Sequence, residues 1–351
     1  MPGESTLTLF IPDLFGFQSI LSKLSSDEIS QLPEIKLPVL EKWLSRGVFE
    51  KISNQEDSVF SDLGLDKYQN EDKPYAALSL LSEKMSGFEL NTESYWLRAD
   101  PVNLQPDRDT ALLAGYEELA LTQDEANKLV AQINKHFIDE PWQLYTFSPH
   151  RWYLRLDKSA DLKTTPIKKV LGEDINSFSP TGAAANYWFK IVNELQMLIH
   201  GSQVNFERES RNMLTANSIW LWGGGCLPKV NLDSYYDRMI TNNFVFSGIG
   251  YHCGFDVLSL DDSFFESIKI NNNFVVLDML SEQVQRRDLY TFVQTLNKIE
   301  NEFLVHCNKL LVMDDIGKIK LITDAGIFIV TKKLLGRWWK RTKSFSGFNY
   351  E

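Results

Sequence analysis

The residues best suited to chemistry lie in two stretches of the chain, one charged and one rich in glycine. The charged stretch holds Arg98, Asp100, Asp107, Arg108 and Asp109 within twelve residues. Arginine binds phosphate or carboxylate through two parallel hydrogen bonds, so this density of charge predicts a site for a small anion. An ion-paired loop has the same composition, and the sequence leaves both interpretations open.

The second stretch, residues 217–225, begins as an apolar strand with two tryptophans and ends in three glycines. Glycine N–H groups approach an anion closely because no side chain intervenes. A tight turn after a core strand is the alternative interpretation. If a ligand site exists, we expect it to be built from both stretches, with these residues: Arg98, Asp100, Asn103, Arg108, Asn217, Gly223, Gly224 and Gly225.

Composition narrows the function classes. The chain has 351 residues, of which 43% are hydrophobic, and a net charge of −11, which argues against a general nucleic-acid or anionic-membrane surface. Its three cysteines and five histidines are too scattered for a metal-ligand pattern, and it contains no GxGxxG, GxxxxGK[ST] or GxSxG motif. We therefore predict no metal and no cofactor. Without a long apolar run or a basic leader, we expect a soluble, cytoplasmic protein with no transmembrane segment.

Hydrophobic periodicity predicts the elements that position these residues. The clearest helix covers 122–137, where Thr122 and Glu125 form a capping box. Further helices are predicted over 37–44, 75–81, 183–200 and 281–304, and a loop over 50–73. Strands are predicted over 6–11, 95–104, 142–147, 152–156, 244–250, 273–280, 310–313, 319–323 and 327–330, the last three as an antiparallel finish.

Asp13 directly follows the first predicted strand. The carboxyl ends of strands in an open α/β sheet are where ligands bind, so Asp13 is a candidate site residue. The alternative is an aspartate that caps a turn or helix. The position of Asp13 alone does not separate the two.

The last stretch of the chain is basic. Residues 325–350 contain no acidic residue. They include six cations and, among these, two tryptophans: Lys332, Lys333, Arg337, Trp338, Trp339, Lys340, Arg341 and Lys343. Such a segment suits an anionic partner or surface. Packed aromatic rings with solvated charges are the other interpretation.

Four segments together resemble a known family: 97–104, 151–156, 193–200 and 217–225. They are similar to bacterial RpfE-type regulatory proteins, which are distant relatives of archaeal-type cofactor-independent phosphoglycerate mutases, and the resemblance spans about 75–285. It implies an α/β fold. Residues 1–93 and 176–351 would form an alkaline-phosphatase-like sheet flanked by helices, and 94–175 a smaller inserted α/β domain.

The chemistry implied by the resemblance is incomplete in this chain. Those mutases use two metal ions, held by aspartates and histidines, and a serine that is transiently phosphorylated. Asp13 would match the first metal-binding aspartate, and Ser79 is the candidate serine. The later histidine ligands have no counterpart, because only His306 lies beyond Leu280.

The resemblance therefore predicts a mutase-related protein that lacks the two-metal site. On this interpretation it is a non-catalytic or regulatory binder of a small anionic ligand or a partner protein. A divergent mutase or phosphotransferase is one alternative. An interaction module that uses the basic C-terminus is the other.

Overall fold

The computed structural model describes residues 5–21, 31–65, 72–83, 93–107, 110–114, 119–171, 174–230, 235–261, 268 and 271–348. Arg108 and Asp109 lie outside these ranges. The strands are β1 (Thr6–Ile11), β2 (Val48–Glu50), β3 (Tyr95–Asp107), β4 (Thr110–Ala114), β5 (Trp142–Ser148), β6 (Arg151–Leu156), β7 (Ser218–Gly225), β8 (Arg238–Ile240), β9 (Asp256–Leu258), β10 (Asn273–Val276), β11 (Lys318–Thr323) and β12 (Ile327–Val330).

The helices alternate with these strands along much of the chain. They are α1 (Gln18–Leu21), α2 (Pro38–Arg46), α3 (Gln55–Asp62), α4 (Tyr75–Leu80), α5 (Gln123–His136), α6 (Ala185–His200), α7 (Gln203–Ser210), α8 (Phe244–Cys253), α9 (Ser281–Gln285), α10 (Leu289–Ile299), α11 (Val305–Val312) and α12 (Lys332–Leu335). Among the described residues, none of these helices is both long and apolar enough to cross a bilayer.

Contacts divide the chain into two compact units: Met1–Gln69 with Val230–Glu351, and Asn70–Lys229. The first unit contains a seven-stranded sheet in the order β2-β12-β11-β1-β10-β8-β9. Strands β11, β1, β10, β8 and β9 are parallel, whereas β12 and β2 are antiparallel to their neighbours. The parallel strands therefore bring their carboxyl ends to one edge of the sheet.

Helices and loops cover the central strand of this sheet on both faces. All six residues of β1 are buried. Leu7 and Leu9 belong to the core cluster that also contains Trp43 of α2 and Phe292 of α10. On the other face, the ring of Phe10 lies 5.5 Å from that of Phe246 in α8. Thr8 is buried as well, and its hydroxyl is hydrogen-bonded to that of Tyr236 at 2.8 Å.

The second unit is built on a five-stranded antiparallel sheet. Strand β3 is its centre: its first half pairs with both β6 and β7, and its second half pairs with β4. The inserted domain predicted over 94–175 lies wholly within this unit, which also takes in α4, α6, α7 and β7. The glycine stretch therefore ends a strand of an antiparallel sheet.

The predicted capping box of α5 is confirmed and has a second role. Thr122 accepts from the Glu125 amide, and Glu125 accepts from the Thr122 amide. The same Glu125 carboxylate accepts from Arg208 Nη1 at 2.8 Å, and Arg208 is fully buried. Arg208 lies in α7. That helix packs through Arg208 because a buried guanidinium needs charged and carbonyl acceptors.

Three predicted elements were wrong. The strand expected over 244–250 is helix α8, because the Asn243 side chain caps its first turn and Gly254 ends it in a left-handed conformation. The strand expected over 310–313 is the end of α11. The loop expected over 50–73 contains α3, which begins where the Asn54 side chain accepts from the Asp57 amide. In the first and third cases a side-chain cap decided the structure of an ambiguous segment, whereas α11 begins without one.

The long helix expected over 281–304 is interrupted. Arg287, with φ of 55°, separates α9 from α10, and a π-helical turn follows over Glu300–Leu304. Fully buried Glu300 accepts from the Val39 and Leu40 amides of α2 at 2.6 and 3.1 Å. The π turn therefore places a carboxylate where the first turn of α2 leaves its N–H groups without helical partners.

Candidate functional site

Three aspartates and one asparagine lie at the carboxyl edge of the parallel sheet in the first unit. Asp13 follows β1, Asp278 follows β10, Asp324 follows β11, and Asn243 follows β8. The strand register aligns β1 with both β10 and β11, so the residues that follow them lie at similar levels. We name these four residues the carboxyl-edge group. Carboxylates at such an edge suit acid–base chemistry or cation binding.

Two of these carboxylates accept hydrogen bonds from other groups of the protein. Asn243 Nδ2 donates to Asp278 Oδ2 at 2.7 Å. The Phe15 amide donates to both oxygens of Asp324, at 3.1 and 3.2 Å. These bonds tie the loop after β1 to β11 and the start of α8 to β10. The carboxylates thus connect the strand ends.

The pKa of Asp324 is raised to about 6. Desolvation by the surrounding chain is the largest cause, and the charge of Asp13 adds to it, while the hydrogen bond from the Phe15 amide acts in the opposite direction. Asp324 nevertheless exposes part of its surface to solvent, so screening moderates the effect of this shift on stability.

Asp13 has a left-handed backbone, with φ of 58°. Its carbonyl accepts from the Gly16 amide at 3.1 Å and closes the turn after β1. Aspartate tolerates this conformation better than most residues with a side chain, but it still marks a position held by its surroundings. The turn thus fixes Asp13 at the sheet edge.

The charged pair predicted in β3 forms a buried ion pair in the second unit. Arg98 donates to Asp100 Oδ1 through Nε at 3.0 Å and Nη2 at 2.6 Å. Asp100 also accepts from Trp222 Nε1 at 2.7 Å and from the Trp152 amide at 3.3 Å. The guanidinium carbon lies 4.9 Å from the ring centre of Tyr153 and 5.2 Å from that of Trp222. Protein groups therefore surround both charges.

A second ion pair lies beside the first. Arg151 Nε donates to Glu83 at 2.6 Å, and Tyr153 Oη donates to the same carboxylate at 2.9 Å. Burial, above all, raises the pKa of Tyr153, so its hydroxyl stays protonated. Ser79 Oγ lies 3.3 Å from the same hydroxyl oxygen. Ser79 itself is fully buried and donates to the Ala76 carbonyl in its own helix.

The three glycines of β7 pack against α4 and β3. A Cβ on Gly223 would lie 2.8 Å from Tyr75 Cβ, and one on Gly225 would lie 2.6 Å from Pro74 Cβ. At Gly224 a Cβ would collide with the Tyr95 hydroxyl. The Gly223 amide donates to Thr164 Oγ1 at 3.2 Å.

The remaining predicted ligands have different positions. The Asn217 side chain accepts from the Leu104 amide at 2.7 Å and donates to its carbonyl at 2.9 Å, and Asn103 Nδ2 donates to the Thr215 carbonyl at 2.8 Å. The structure therefore brings Arg98, Asp100 and the strand of the glycines together, and uses both asparagines to join β3 to the chain around β7.

Sequence reasoning missed most of the carboxyl-edge group. Asp278 and Asp324 each end an apolar run, as Asp13 does, in the sequences Val-Val-Leu-Asp and Leu-Ile-Thr-Asp. That repeated pattern was a usable signal. The strand predicted over 273–280 includes Asp278, whereas β10 ends at Val276. The strands predicted as antiparallel over 310–330 separate Asp324 from this edge, whereas β11 pairs parallel to β1.

Comparison with known proteins supplies relatives for part of the chain. No family model matches it. A probable 2,3-bisphosphoglycerate-independent phosphoglycerate mutase of Geobacter sulfurreducens is 25% identical over 194 residues, which cover 53% of this chain and 48% of that protein. The corresponding mutase of Methanosarcina barkeri is 23% identical over 192 residues, covering 53% and 47%. The chain is distantly related to cofactor-independent phosphoglycerate mutases. It spans about half the length of these curated relatives.

A solved structure, that of the PH0037 protein from Pyrococcus horikoshii, has a TM-score of 0.58 with this chain at 14% identity. The match covers 94% of this chain and 88% of that one. At this identity the likeness establishes the fold alone. This chain is a mixed α/β protein whose sheets are flanked by helices.

The carboxyl-edge group does not fit the two-metal centre that the mutase resemblance implies. In the described ranges, no three His, Cys, Asp or Glu side chains are grouped so as to share a metal ion. Asp278 and Asp324 accept from Asn243 and Phe15, and His306 lies within α11. We therefore derive no step through a metal ion.

Proposed function

We propose that this chain is a mutase-related protein that binds a small anionic ligand or a protein partner without two-metal catalysis. The observation that supports the proposal best is the internal bonding of the carboxyl-edge group. Asp278 and Asp324 are held by Asn243 and Phe15, in positions where a metal centre needs carboxylate oxygens directed at the ion. The bonds give these carboxylates a structural role.

The finer assignment is part of the same proposal. The first unit is an alkaline-phosphatase-like domain, and the chain is an RpfE-type regulatory protein that acts in the cytoplasm and does not bind nucleic acid. Support comes from the parallel sheet with aspartates at its carboxyl edge. The segments 97–104 and 217–225 carry the family resemblance, and the net charge of −11 disfavours nucleic acid.

The anion-binding assignment of the charged and glycine-rich stretches stays a prediction. Arg98 binds an anion only if that anion replaces or joins Asp100, which now accepts both of its bonds. Titration calorimetry with 3-phosphoglycerate and with inorganic phosphate tests this directly. Heat that disappears in Arg98→Met, while the variant keeps its fold by circular dichroism, supports the assignment. Unchanged heat in that variant contradicts it.

The decisive experiment is a coupled mutase assay with 3-phosphoglycerate in the presence of Mn²⁺, Co²⁺, Mg²⁺ or Zn²⁺ in turn. We expect no turnover, while a cofactor-independent mutase run in parallel is active. Metal-dependent turnover overturns the proposal if it is lost in Asp13→Asn and kept in Asp139→Asn, which changes an exposed aspartate. Asparagine is the right replacement at position 13 because it tolerates the left-handed backbone.

A divergent mutase or phosphotransferase is the second candidate. The observation that favours it is that three aspartates lie at one edge of the sheet. The chain is also related to mutases over more than half its length. Thermal shift with each metal separates the two candidates. A rise in the melting temperature that depends on Asp13, Asp278 and Asp324 favours the second, because an ion bound to the folded state alone stabilises it.

A further inference from the structure

The C-terminal segment lines a groove on the first unit with a volume of about 470 Å³. Its lining includes the cations Arg337, Lys340, Arg341 and Lys343, and none of its described lining residues is acidic. Within the described part of the chain, none of these four side chains forms an ion pair, in contrast to neighbouring Lys332, which pairs with Asp314. The groove therefore concentrates positive charge on a protein whose net charge is negative.

The groove also has an apolar, exposed part. It includes Val48 and Phe49 of β2, which are 50% and 39% exposed. Strand β2 is an edge strand of the sheet. Trp338 and Trp339 follow Arg337 in the chain and are 81% and 65% exposed. Exposed tryptophan beside arginine and an apolar patch is the composition of binding hot spots in protein interfaces.

The chain at the C-terminal end of the groove is held in place by several hydrogen bonds. Phe345 and Phe348 are buried, and Gln18 Nε2 donates to both of their carbonyls, at 2.9 and 2.6 Å. The Phe345 amide donates to Glu41 Oε1 at 2.8 Å, and the Lys343 amide donates to Ser45 Oγ at 3.0 Å. The cations therefore lie on a segment anchored at its far end.

We propose that this groove binds an acidic segment of a partner protein. Carboxylates of the segment meet the four cations, and an apolar side chain between them covers Val48 and Phe49. A bare anion leaves the apolar side uncovered, and a planar lipid surface does not enter a concave groove. The inference rests on the proposed function, since it names the class of partner for the same binding protein.

The test uses the full chain and fluorescence anisotropy of a short, fluorescein-labelled peptide of alternating glutamate and phenylalanine. We expect saturable binding that weakens with salt and no binding of the peptide with lysine in place of glutamate. The triple variant Lys340→Gln, Arg341→Gln, Lys343→Gln weakens binding by about tenfold or more, because it removes three cation–carboxylate contacts. The matched triple variant Lys135→Gln, Lys158→Gln, Lys190→Gln removes the same charge from exposed lysines outside the C-terminal segment and keeps the affinity.

Four outcomes overturn the inference: equal weakening in both triple variants, groove-dependent binding of phosphatidylserine vesicles without binding of the peptide, inorganic phosphate bound as tightly as the peptide, and a self-association that the groove triple variant abolishes. The mutase assay is independent of this test. Metal-dependent turnover overturns the proposed function and leaves a positive peptide result standing. An inactive protein that also fails to bind the peptide overturns only the groove inference.

Discussion

The Arg98–Asp100 pair and the C-terminal groove hold positive charge in opposite ways. Arg98 is 5% exposed, and its guanidinium is enclosed by Asp100 and the rings of Tyr153 and Trp222. Lys340, Arg341 and Lys343 are exposed, and none of them meets an acidic partner in the described ranges. The difference shows that the partners of a cation, more than its density in the sequence, determine whether it is available to a ligand.

Solvation explains the contrast. A buried guanidinium loses its water and must recover the lost energy from a carboxylate and from ring faces, so its binding capacity is used inside the protein. An exposed cation keeps its water and needs no internal partner. Its charge remains available to an outside group that displaces that water.

Removing Asp100 has the largest expected effect. Asp100→Ala leaves the Arg98 charge buried without its carboxylate and should lower the free energy of unfolding by about 3–5 kcal/mol. Urea denaturation followed by circular dichroism measures this. Asp139→Ala, at an exposed position, should change it by less than about 0.5 kcal/mol. A loss below about 1 kcal/mol for Asp100→Ala means that water reaches the pair and breaks the contrast with the groove.

A methyl group at Gly223 has the next largest effect. Gly223→Ala combines φ of 66° with a Cβ placed 2.8 Å from Tyr75 Cβ, so we expect a loss of about 1–3 kcal/mol. Gly201→Ala is the matched control, because its Cβ has no neighbour closer than 4.0 Å. Stability is again measured by urea denaturation. A stable Gly223→Ala that loses phosphate binding favours the ligand cradle over packing.

Asp324 combines features of both regions. It is partly exposed, like the groove cations, but its carboxylate is desolvated, like the Arg98–Asp100 pair. Its folded pKa of about 6 exceeds the ordinary value of 3.8, so the folded state holds the proton more tightly. This contribution to stability is present at low pH and is lost as the pH rises from about 4 to about 6. Asp324→Asn should flatten the plot of melting temperature against pH in this range. The corresponding change in the free energy of unfolding is less than about 1 kcal/mol, because solvent screens the charge. Parallel profiles for the variant and the parent chain contradict the shift.

The groove variant has the smallest expected effect on stability. The triple replacement of Lys340, Arg341 and Lys343 by glutamine should leave the free energy of unfolding within about 0.5 kcal/mol, because exposed cations without partners contribute little. Urea denaturation of this variant beside Asp100→Ala measures the contrast directly. A loss of more than about 2 kcal/mol places these cations in the internal bonding of the protein, like Arg98.

Much of the local structure was predictable from the sequence because local physics decides it. Thr122 and Glu125 predict the start of α5 through a capping box, and Pro38 fits the first turn of α2. The apolar run ending at Ile11 is a strand. Residues 244–250 show the limit, since their aromatic run suits a strand as well as a helix. The Asn243 cap and Gly254 made it α8.

By itself, the sequence determined the capped helices, the buried strands, the acidic net charge and the basic, tryptophan-bearing C-terminal segment, because each depends on composition or on residues close in the chain. Only the tertiary structure decided that Arg98 is matched by Asp100 and Trp222, that Asp13, Asp278 and Asp324 share a sheet edge, and that the C-terminal cations line one groove with Val48 and Phe49. The reason is that desolvation and partner geometry arise between residues far apart in the chain, where spacing carries no information.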